Sequence, residues 1–205
     1  MITLHHLNKS RSKRIIWLLE ELGIDYQVVA YQRDSVTFLA PPELKAVHPL
    51  GKSPVIEADG KVIAESGAIT EYLIAKHAPQ RLAPAPESAE YVEYLQWLHF
   101  AESSGILPLL LKVFLTKDGA QTQFLAQYAD AEINKVVGYL DQSLQGKNYL
   151  VGETLSGADI MNSFIVEIVQ QFGLLEQYPN LARYADTLAS HPSFVKAQAL
   201  EQQYN

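Results

Sequence analysis

Apolar residues at strand and helix spacing divide the start of the chain into a regular series of elements. Ile2 and Leu4 alternate with polar positions and predict a first strand. A helical repeat over residues 15–22 ends at Gly23, and the run Tyr26–Ala30 predicts a second strand. Strand, helix and strand in this order are typical of a parallel crossover unit.

The next segment predicts a short helix, a hairpin and a longer helix. Pro41-Pro42 can open a helix that continues to Val47, because proline fits the first helical turn. Asp59-Gly60 separates two β-rich runs and predicts a hairpin. Ser66 then precedes an apolar helical face and is a candidate N-cap. The first part of the chain is therefore predicted to be α/β.

A change in composition predicts the domain boundary. Residues 79–87 contain three prolines and no periodic apolar pattern, which is typical of a linker. Helical spacing continues after this segment without strand patterns of comparable quality. We therefore predict a first domain over residues 1–78, a linker over 79–87 and an all-helical domain over 88–205.

One feature of that second domain has a clear structural interpretation. Ser156 and Asp159 have the spacing of a capping box, and Leu155 and Ile160 have the spacing of a hydrophobic staple. This pattern predicts the start of a helix.

Composition and charge restrict the chemistry. Of the 205 residues, 48% are hydrophobic and 19% charged, as in globular proteins with a core. The formal net charge of -7 disfavours nucleic acid as a partner. The absence of cysteine excludes disulfides and a cysteine nucleophile, so thiol chemistry would need the sulfur of a small molecule. We expect no metal site, no membrane partner and a cytoplasmic location, because no metal-ligand spacing, membrane span or signal peptide is recognisable.

Ser10, Arg11 and Ser12 lie between the first strand and the first helix. Unpaired amides and the helix dipole favour an anion at this point, and a serine hydroxyl can donate a hydrogen bond to a thiolate. A free thiol titrates near 8.5, and lowering its pKa by about one to two units would make the thiolate abundant at neutral pH. Helix-capping serines are common, however, so the sequence alone favours capping for either serine taken singly.

Two further segments allow both a ligand interpretation and a structural one. A cis bond at Ser53-Pro54 would turn the backbone of Ser53 outward towards a peptide-like ligand, although base rates favour a trans bond. Ser66 could hold a carboxylate at its helix N-terminus while Glu65 holds an ammonium group, or Ser66 could be a simple cap.

Three motifs occur in the order and spacing of the cytosolic glutathione S-transferases, which the whole chain resembles. They are SRSKRIIWLLEELGIDYQ, HPLGKSPVIEADGKVIAESGAITEYLIAKH and LSGADI. The resemblance is greatest to the fungal and bacterial serine-type group with an S-R-S start. It implies a thioredoxin-like domain that binds glutathione, an all-α domain after it, and a homodimer.

The resemblance also implies a set of site residues. Ser10 is the first candidate to face the glutathione thiol, Ser12 the second, and Arg11 the alternative. The residues expected to bind the remainder of glutathione are Lys52, Ser53, a cis Pro54, Glu65 and Ser66. The walls of the electrophile pocket are expected from the loop at Leu7 and from a helix carrying Phe100, Ser103, Ser104 and Leu107.

The sequence departs from the family pattern in two places. His5-His6 stands near the end of strand one, where some classes have tyrosine. Leu39-Ala40 stands where some serine-type classes have a basic pair for the glycine carboxylate. Either another residue, such as Arg33 or Lys52, binds that carboxylate, or glutathione is held more loosely.

The function implied by the resemblance is detoxification by a glutathione transferase. Such an enzyme stabilises the thiolate of its co-substrate for attack on a small hydrophobic electrophile or a peroxide. The alternatives are a non-catalytic glutathione-binding or regulatory protein on the same fold, and an interaction protein without a small ligand.

Overall fold

A computed structural model describes residues 1–119 and 121–204. The strands are β1 (Ile2–Leu7), β2 (Tyr26–Tyr31), β3 (Val55–Ala58) and β4 (Lys61–Ala64). The helices are α1 (Ser12–Leu22), α2 (Leu44–Val47), α3 (Ser66–His77), α4 (Tyr91–Phe100), α5 (Ile106–Asp118), α6 (Phe124–Ser143), α7 (Gly157–Gln171), α8 (Pro179–Ala189) and α9 (Pro192–Gln202), with a 3-10 turn at Leu175–Gln177.

The four strands form one mixed sheet in the order β2-β1-β3-β4. β1 pairs in parallel with β2, as the crossover pattern predicts, and β3 and β4 form the predicted antiparallel hairpin. His5 of β1 pairs with Val55 of β3, and Val55 pairs with Ala64 of β4. The end of β1, the start of β3 and the end of β4 therefore lie at the same end of the sheet.

The first helix is buried on all sides and has β1, α3 and α9 as neighbours. Residues 15–19 of α1 are at most 1% exposed. The helix ends at Gly23, whose φ of 66° suits glycine and whose amide donates to the carbonyls of Leu19 and Glu20. This end was predicted correctly.

The starts of three helices differ from the predictions. Arg11 occupies the N-cap position of α1, where the sequence suggested Ser10 or Ser12, and Glu65 rather than Ser66 precedes α3. α2 ends at Val47 as predicted but begins at Leu44, after two tight turns over Pro41 and Pro42. Helix boundaries commonly shift by one or two residues, because the terminal turn can be helical or a simple turn.

The described chain divides into two compact units, and the last helix belongs with the first unit. Unit one comprises residues 1–82 and the chain from Ala189 onwards, and unit two comprises Ala83–Leu188. α9 packs on α1: the indole Nε1 of Trp17 donates to Ser193 Oγ over 2.8 Å, and the Trp17 ring meets Phe194 edge-on. The division therefore differs from the expected all-helical domain over residues 88–205.

The second unit is all-helical among its described residues, and its capping box is formed as predicted. The amide of Ser156 donates to Asp159 Oδ2 over 2.8 Å at the start of α7. The amide of Leu150 and the hydroxyl of Tyr184 donate to Asp159 Oδ1 over 2.9 and 2.8 Å. This buried carboxylate thus connects three segments of the unit.

The helix expected to carry the pocket residues Phe100 to Leu107 is interrupted. α4 ends at Phe100 and α5 begins at Ile106. The amide of Gly105 donates to the Phe100 carbonyl over 3.0 Å, and a Cβ on Gly105 would lie 2.6 Å from both Phe100 and Ile165. The Gly105 amide thus pairs five residues back instead of four, the regular helical pattern is interrupted between Phe100 and Ile106, and the prediction of one helix was wrong.

Among residues 1–119 and 121–204, no helix combines the length and the apolar character that a membrane span requires.

Candidate functional site

Three loops that carry predicted site residues meet at one end of the sheet. Ser10–Ser12 follows β1, Lys52–Pro54 precedes β3, and Glu65-Ser66 follows β4. The amide of Leu7 lies within hydrogen-bond distance of Ser53 Oγ (3.1 Å) and of Ser12 Oγ (3.3 Å). The structure thus brings the serines of the first two loops together around the end of β1.

The Lys52–Pro54 loop is held by the side chain of Ser53, not by its backbone. Ser53 Oγ donates to the carbonyl of His5 over 2.7 Å, and the Ser53-Pro54 bond is cis, as the resemblance implies. Within the described part of the chain, the amide and carbonyl of Ser53 have no hydrogen-bond partner. These two groups are therefore available to a peptide-like ligand, and the Lys52 side chain beside them is exposed.

Glu65, at the N-cap of α3, has a backbone conformation that residues other than glycine rarely adopt. Its φ and ψ are 68° and 116°, and such a residue typically costs about 1–3 kcal/mol. Its carbonyl nevertheless accepts the amide of Ile69 over 2.9 Å, so the helix starts normally. Strain of this kind often occurs where a side chain must point at a ligand.

The N-terminus of α3 offers donors to an anion. Ser66 is 3% exposed, and its hydroxyl has no hydrogen-bond partner among the residues described. The amides of the first turn of a helix also lack partners inside that helix, and the dipole favours negative charge there. A carboxylate could bind here beside the exposed Glu65 side chain, which could hold an ammonium group.

The two serines after β1 form a buried chain of hydroxyls that ends on His6. Ser10 Oγ lies 2.7 Å from Ser12 Oγ, which lies 2.8 Å from His6 Nδ1. Ser12 is fully buried, whereas Ser10 is 4% exposed. Burial, with a contribution from the positive charge of Lys13, lowers the pKa of His6 to about 4, so the imidazole is neutral at pH 7.

Arg33 stabilises its own loop through two of its side-chain nitrogens. Its Nε donates to the carbonyl of Asn8 over 3.1 Å, its Nη1 donates to that of Phe38 over 2.9 Å, and its guanidinium stacks 4.7 Å from the Phe38 ring centroid. Burial and the neighbouring Arg11 charge lower the pKa of Arg33. Leu39, at the place of the family's basic pair, is an exposed apolar residue.

Sequence comparison decides the family. The pattern described as "Glutathione S-transferase, N-terminal domain" matches residues 1–75, and the pattern described as "Glutathione S-transferase, C-terminal domain" matches residues 105–192. The chain belongs to the glutathione S-transferase family. The predicted fold, a thioredoxin-like domain followed by helices, is thereby confirmed.

Relatives of this transferase family cover nearly the full chain. Glutathione S-transferase 1 of Saccharomyces cerevisiae is 32% identical over 98% of this chain and 97% of its own length. A glutathione S-transferase structure from Actinobacillus pleuropneumoniae has a TM-score of 0.89 and 38% identity, covering 98% of this chain and 93% of its own. The Phanerochaete chrysosporium glutathione transferase, solved with oxidized glutathione, has a TM-score of 0.85, covering 100% and 97%; at 24% identity it supports the fold alone. Membership of the subgroup with an S-R-S start stays a prediction.

The residues predicted to line the transferase's electrophile pocket lie in both units. Leu7 is 2% exposed, so its side chain is part of the core of unit one. In unit two, Phe100 meets the Trp97 ring edge-on at 5.2 Å between centroids. Ser103 and Ser104 are exposed in the turn after α4, and Leu107 is 66% exposed. A pocket lined by these residues stays a prediction.

His6 is the site residue whose contacts the sequence did not indicate. It was noted as a replacement for the tyrosine of other transferase classes, without a role. Its bond to Ser12 depends on how the turn between β1 and α1 folds back, and no periodic pattern encodes such a turn.

Proposed function

We propose that this chain is a glutathione transferase that activates the thiol of glutathione for attack on a small hydrophobic electrophile. The observation that supports this best is the set of unused polar groups at one end of the sheet. They are the hydroxyl hydrogen of Ser10, whose oxygen contacts Ser12, the hydroxyl of Ser66, the backbone of Ser53 and the carboxylate of Glu65. Together they match the thiol, the peptide groups and the amino-acid end of glutathione.

Each part of glutathione has a proposed partner. Glu65 holds the ammonium group of the γ-glutamyl end, and the α3 N-terminus with Ser66 holds its carboxylate. The backbone of Ser53 pairs with the cysteinyl residue beside Pro54. Lys52 holds the glycine carboxylate, because Arg33 already donates through Nε and Nη1 to its own loop.

The chemistry uses a stabilised thiolate that is held in place. The hydroxyl of Ser10 donates a hydrogen bond to the sulfur, and the thiol proton leaves to water. The sulfur then forms a bond to the electrophilic carbon, and the electron pair of the broken bond moves to the leaving group or into the substrate. With a peroxide, the sulfur attacks one oxygen and the other oxygen leaves with a proton as an alcohol or water. The sulfenic acid of glutathione formed in this way reacts with a second glutathione to give the disulfide and water. Fixing the peptide reduces the orientational part of the barrier.

Calorimetric titration with reduced glutathione tests the binding site. Glu65→Ala should bind glutathione about tenfold more weakly than the wild type, since the loss of a charged hydrogen bond costs about 1.5–3 kcal/mol. Glu71→Ala is the matched control, because Glu71 is an exposed carboxylate within the same helix. Absence of wild-type binding at millimolar glutathione would refute the proposed function.

A pH profile tests the role of Ser10. Ser10→Ala should raise the pKa of the bound thiol by about one unit and lower the conjugation rate near pH 6.5 by about tenfold. An unchanged profile would exclude Ser10 and point to Ser12 or Arg11. Glutathione binding without turnover of any electrophile or peroxide would instead support a non-catalytic protein.

We also propose a homodimer. Large apolar side chains are exposed in both units, among them Leu50, Val62, Val92, Leu107 and Phe114. Sedimentation at micromolar concentration should give twice the chain mass of 22.9 kDa. A monomer at these concentrations would contradict this.

A further inference from the structure

The hydroxyl of Ser10 ends a chain of three side chains, and the chemistry of each atom fixes the direction of that chain. His6 Nδ1 lies 2.8 Å from Ser12 Oγ, and Ser12 Oγ lies 2.7 Å from Ser10 Oγ. A hydroxyl has one hydrogen to donate and two lone pairs to accept with. The protonated nitrogen of His6 therefore determines which way every hydrogen in the chain points.

The surroundings of His6 favour the tautomer with the hydrogen on Nδ1. His6 Nε2 is buried and has no hydrogen-bond partner within the described chain. A buried N–H group without an acceptor is rare in folded proteins. With the hydrogen on Nδ1, His6 donates to Ser12 Oγ, and the unpartnered nitrogen carries a lone pair instead.

Ser12 donates to Ser10. Ser12 Oγ accepts from His6 Nδ1 over 2.8 Å, and the amide hydrogen of Leu7, 3.3 Å away, is shared with Ser53 Oγ at 3.1 Å. The hydroxyl hydrogen of Ser12 can point at Ser10 Oγ (2.7 Å) or at the Leu7 carbonyl (3.2 Å). We assign it to the Ser10 contact, because that contact is the shorter one, and the Leu7 carbonyl is a weaker second acceptor for the same hydrogen.

The hydroxyl hydrogen of Ser10 then remains available for donation. Its oxygen accepts from the hydroxyl of Ser12 over 2.7 Å and from the amide of Ser12 over 3.2 Å. Among residues 1–119 and 121–204, no group accepts the hydroxyl hydrogen of Ser10. We propose that His6 and Ser12 are positioning residues, which hold the Ser10 hydroxyl as a hydrogen-bond donor to the glutathione thiolate.

This proposal rests on the proposed function of the site and adds the residues that orient its donor. Because Ser10 is 4% exposed, a sulfur bonded to it meets little water, and a hydrogen bond to a thiolate is stronger there. No proton moves along the chain. The imidazole is too weak a base to take the thiol proton at neutral pH, so that proton leaves to solvent.

Burial is the main cause of the neutral state of His6, because it lowers the pKa of the imidazole, and the positive charge of Lys13 on α1 acts in the same direction. Glu201 of α9 lies 3.6 Å from the Lys13 ammonium. The ring of Tyr204 lies 5.7 Å from the imidazole centroid on the side of the C-terminal segment.

The first measurement is the tautomer of His6 in the wild-type protein, by nitrogen NMR with labelled histidine at pH 7. We expect the signal of a neutral ring with its hydrogen on Nδ1. A hydrogen on Nε2 would overturn the proposal, whatever the protein does with glutathione. This readout needs no variant and no ligand, so it does not depend on the proposed function.

The second measurement is the titration of bound glutathione by the ultraviolet absorbance of its thiolate. His6→Ala and Ser12→Ala should each leave about threefold to tenfold less thiolate at pH 7, as expected for the loss of one orienting hydrogen bond. His6→Asn should restore the wild-type titration, because its amide nitrogen can donate from nearly the position of Nδ1. In His6→Ala and Ser12→Ala, the glutathione affinity measured above the thiol pKa should fall by a smaller factor than the thiolate fraction at pH 7.

A double variant separates this proposal from a general structural effect. If His6 acts through Ser10, adding His6→Ala to Ser10→Ala should change the thiol titration no further. Additive effects, or a normal titration in His6→Ala, would overturn the proposal. A wild type that does not bind glutathione would refute the proposed function instead, whereas a Ser10→Ala variant that titrates normally would overturn this proposal and leave the binding site in place.

Discussion

Glu65 illustrates how one residue can serve binding at the expense of stability. Its φ of 68° is a conformation that glycine adopts easily and that costs other residues about 1–3 kcal/mol. Glutamate at this position therefore has to be explained by its carboxylate, which is exposed at the start of α3. The contribution of Glu65 to glutathione binding and its effect on stability can be measured separately.

We expect Glu65→Gly to raise the free energy of unfolding by about 1 kcal/mol while weakening glutathione binding. Glycine removes the backbone strain but adds about 0.5–1 kcal/mol of conformational entropy to the unfolded chain. Urea unfolding and calorimetry measure the two effects. Glu65→Ala is the control, because it removes the carboxylate and keeps the Cβ, and it should weaken binding without the gain in stability. Equal stability of the two variants would contradict the strain interpretation.

His6 makes stability depend on pH in a predictable direction. Its pKa is about 4 in the folded protein and 6.5 as the ordinary value. Between these values the unfolded chain binds a proton that the folded chain does not bind, so acid favours unfolding. The His6 contribution should lower the free energy of unfolding by about 3 kcal/mol as the pH falls from 6.5 to 4.

Comparison with His6→Asn isolates this effect from the other titrating groups. Urea unfolding of both proteins at several pH values gives two stability profiles. Below pH 6.5, the free energy of unfolding should fall more steeply for the wild type than for His6→Asn. Above pH 6.5, the difference in free energy of unfolding between the two proteins should be constant. Parallel profiles over the whole range would show that His6 titrates normally in the folded state.

At the scale of an element, the start of α7 depends on one buried carboxylate. Asp159 accepts from the amides of Leu150 and Ser156 and from the hydroxyls of Ser156 and Tyr184. Burial raises the pKa of Asp159, although each of these hydrogen bonds acts in the opposite direction. Alanine at this position would leave several donors unpaired in the core of the second unit.

We expect Asp159→Ala to lower the free energy of unfolding by at least about 3 kcal/mol, since each unpaired buried donor costs about 1–3 kcal/mol. Asp186→Ala is a suitable control, because Asp186 is exposed on the neighbouring helix α8 and should change stability by less than about 0.5 kcal/mol. Thermal or urea unfolding measures both. A small effect of Asp159→Ala would mean that water replaces the carboxylate.

The sequence predicted those elements whose signals are local. The capping box at Ser156, the end of α1 at Gly23 and the hairpin at Asp59-Gly60 each depend on residues a few positions apart, and all three are present. The break between α4 and α5 was missed, because Gly105 keeps helical backbone angles (φ -69°, ψ -45°) and the shift of its amide to the Phe100 carbonyl has no periodic signal in the sequence. Likewise, the site loops were predicted, but the His6–Ser12 contact was not.

At the scale of the whole molecule, the first unit is built from two distant parts of the chain. Residues 1–82 form the sheet and its helices, and α9 completes the unit from the far end of the sequence. Trp17 is 1% exposed, and it packs against Phe194 and Ser193 of α9. Helical periodicity predicts that α9 exists but not which surface it covers, so this arrangement had no local signal.

The discontinuous unit leads to a prediction about stability. Phe194→Ala should destabilise the first unit by about 2 kcal/mol, which is below the value for a fully buried phenylalanine because Phe194 is only partly buried. A Trp97→Phe background leaves Trp17 as the single tryptophan, so fluorescence during urea unfolding reports on this unit. Val195→Ala is the control on the same helix, since Val195 is 53% exposed. If Phe194→Ala and Val195→Ala unfolded at the same urea concentration, α9 would contribute nothing to the unit, and the glutathione site would be expected to survive its removal.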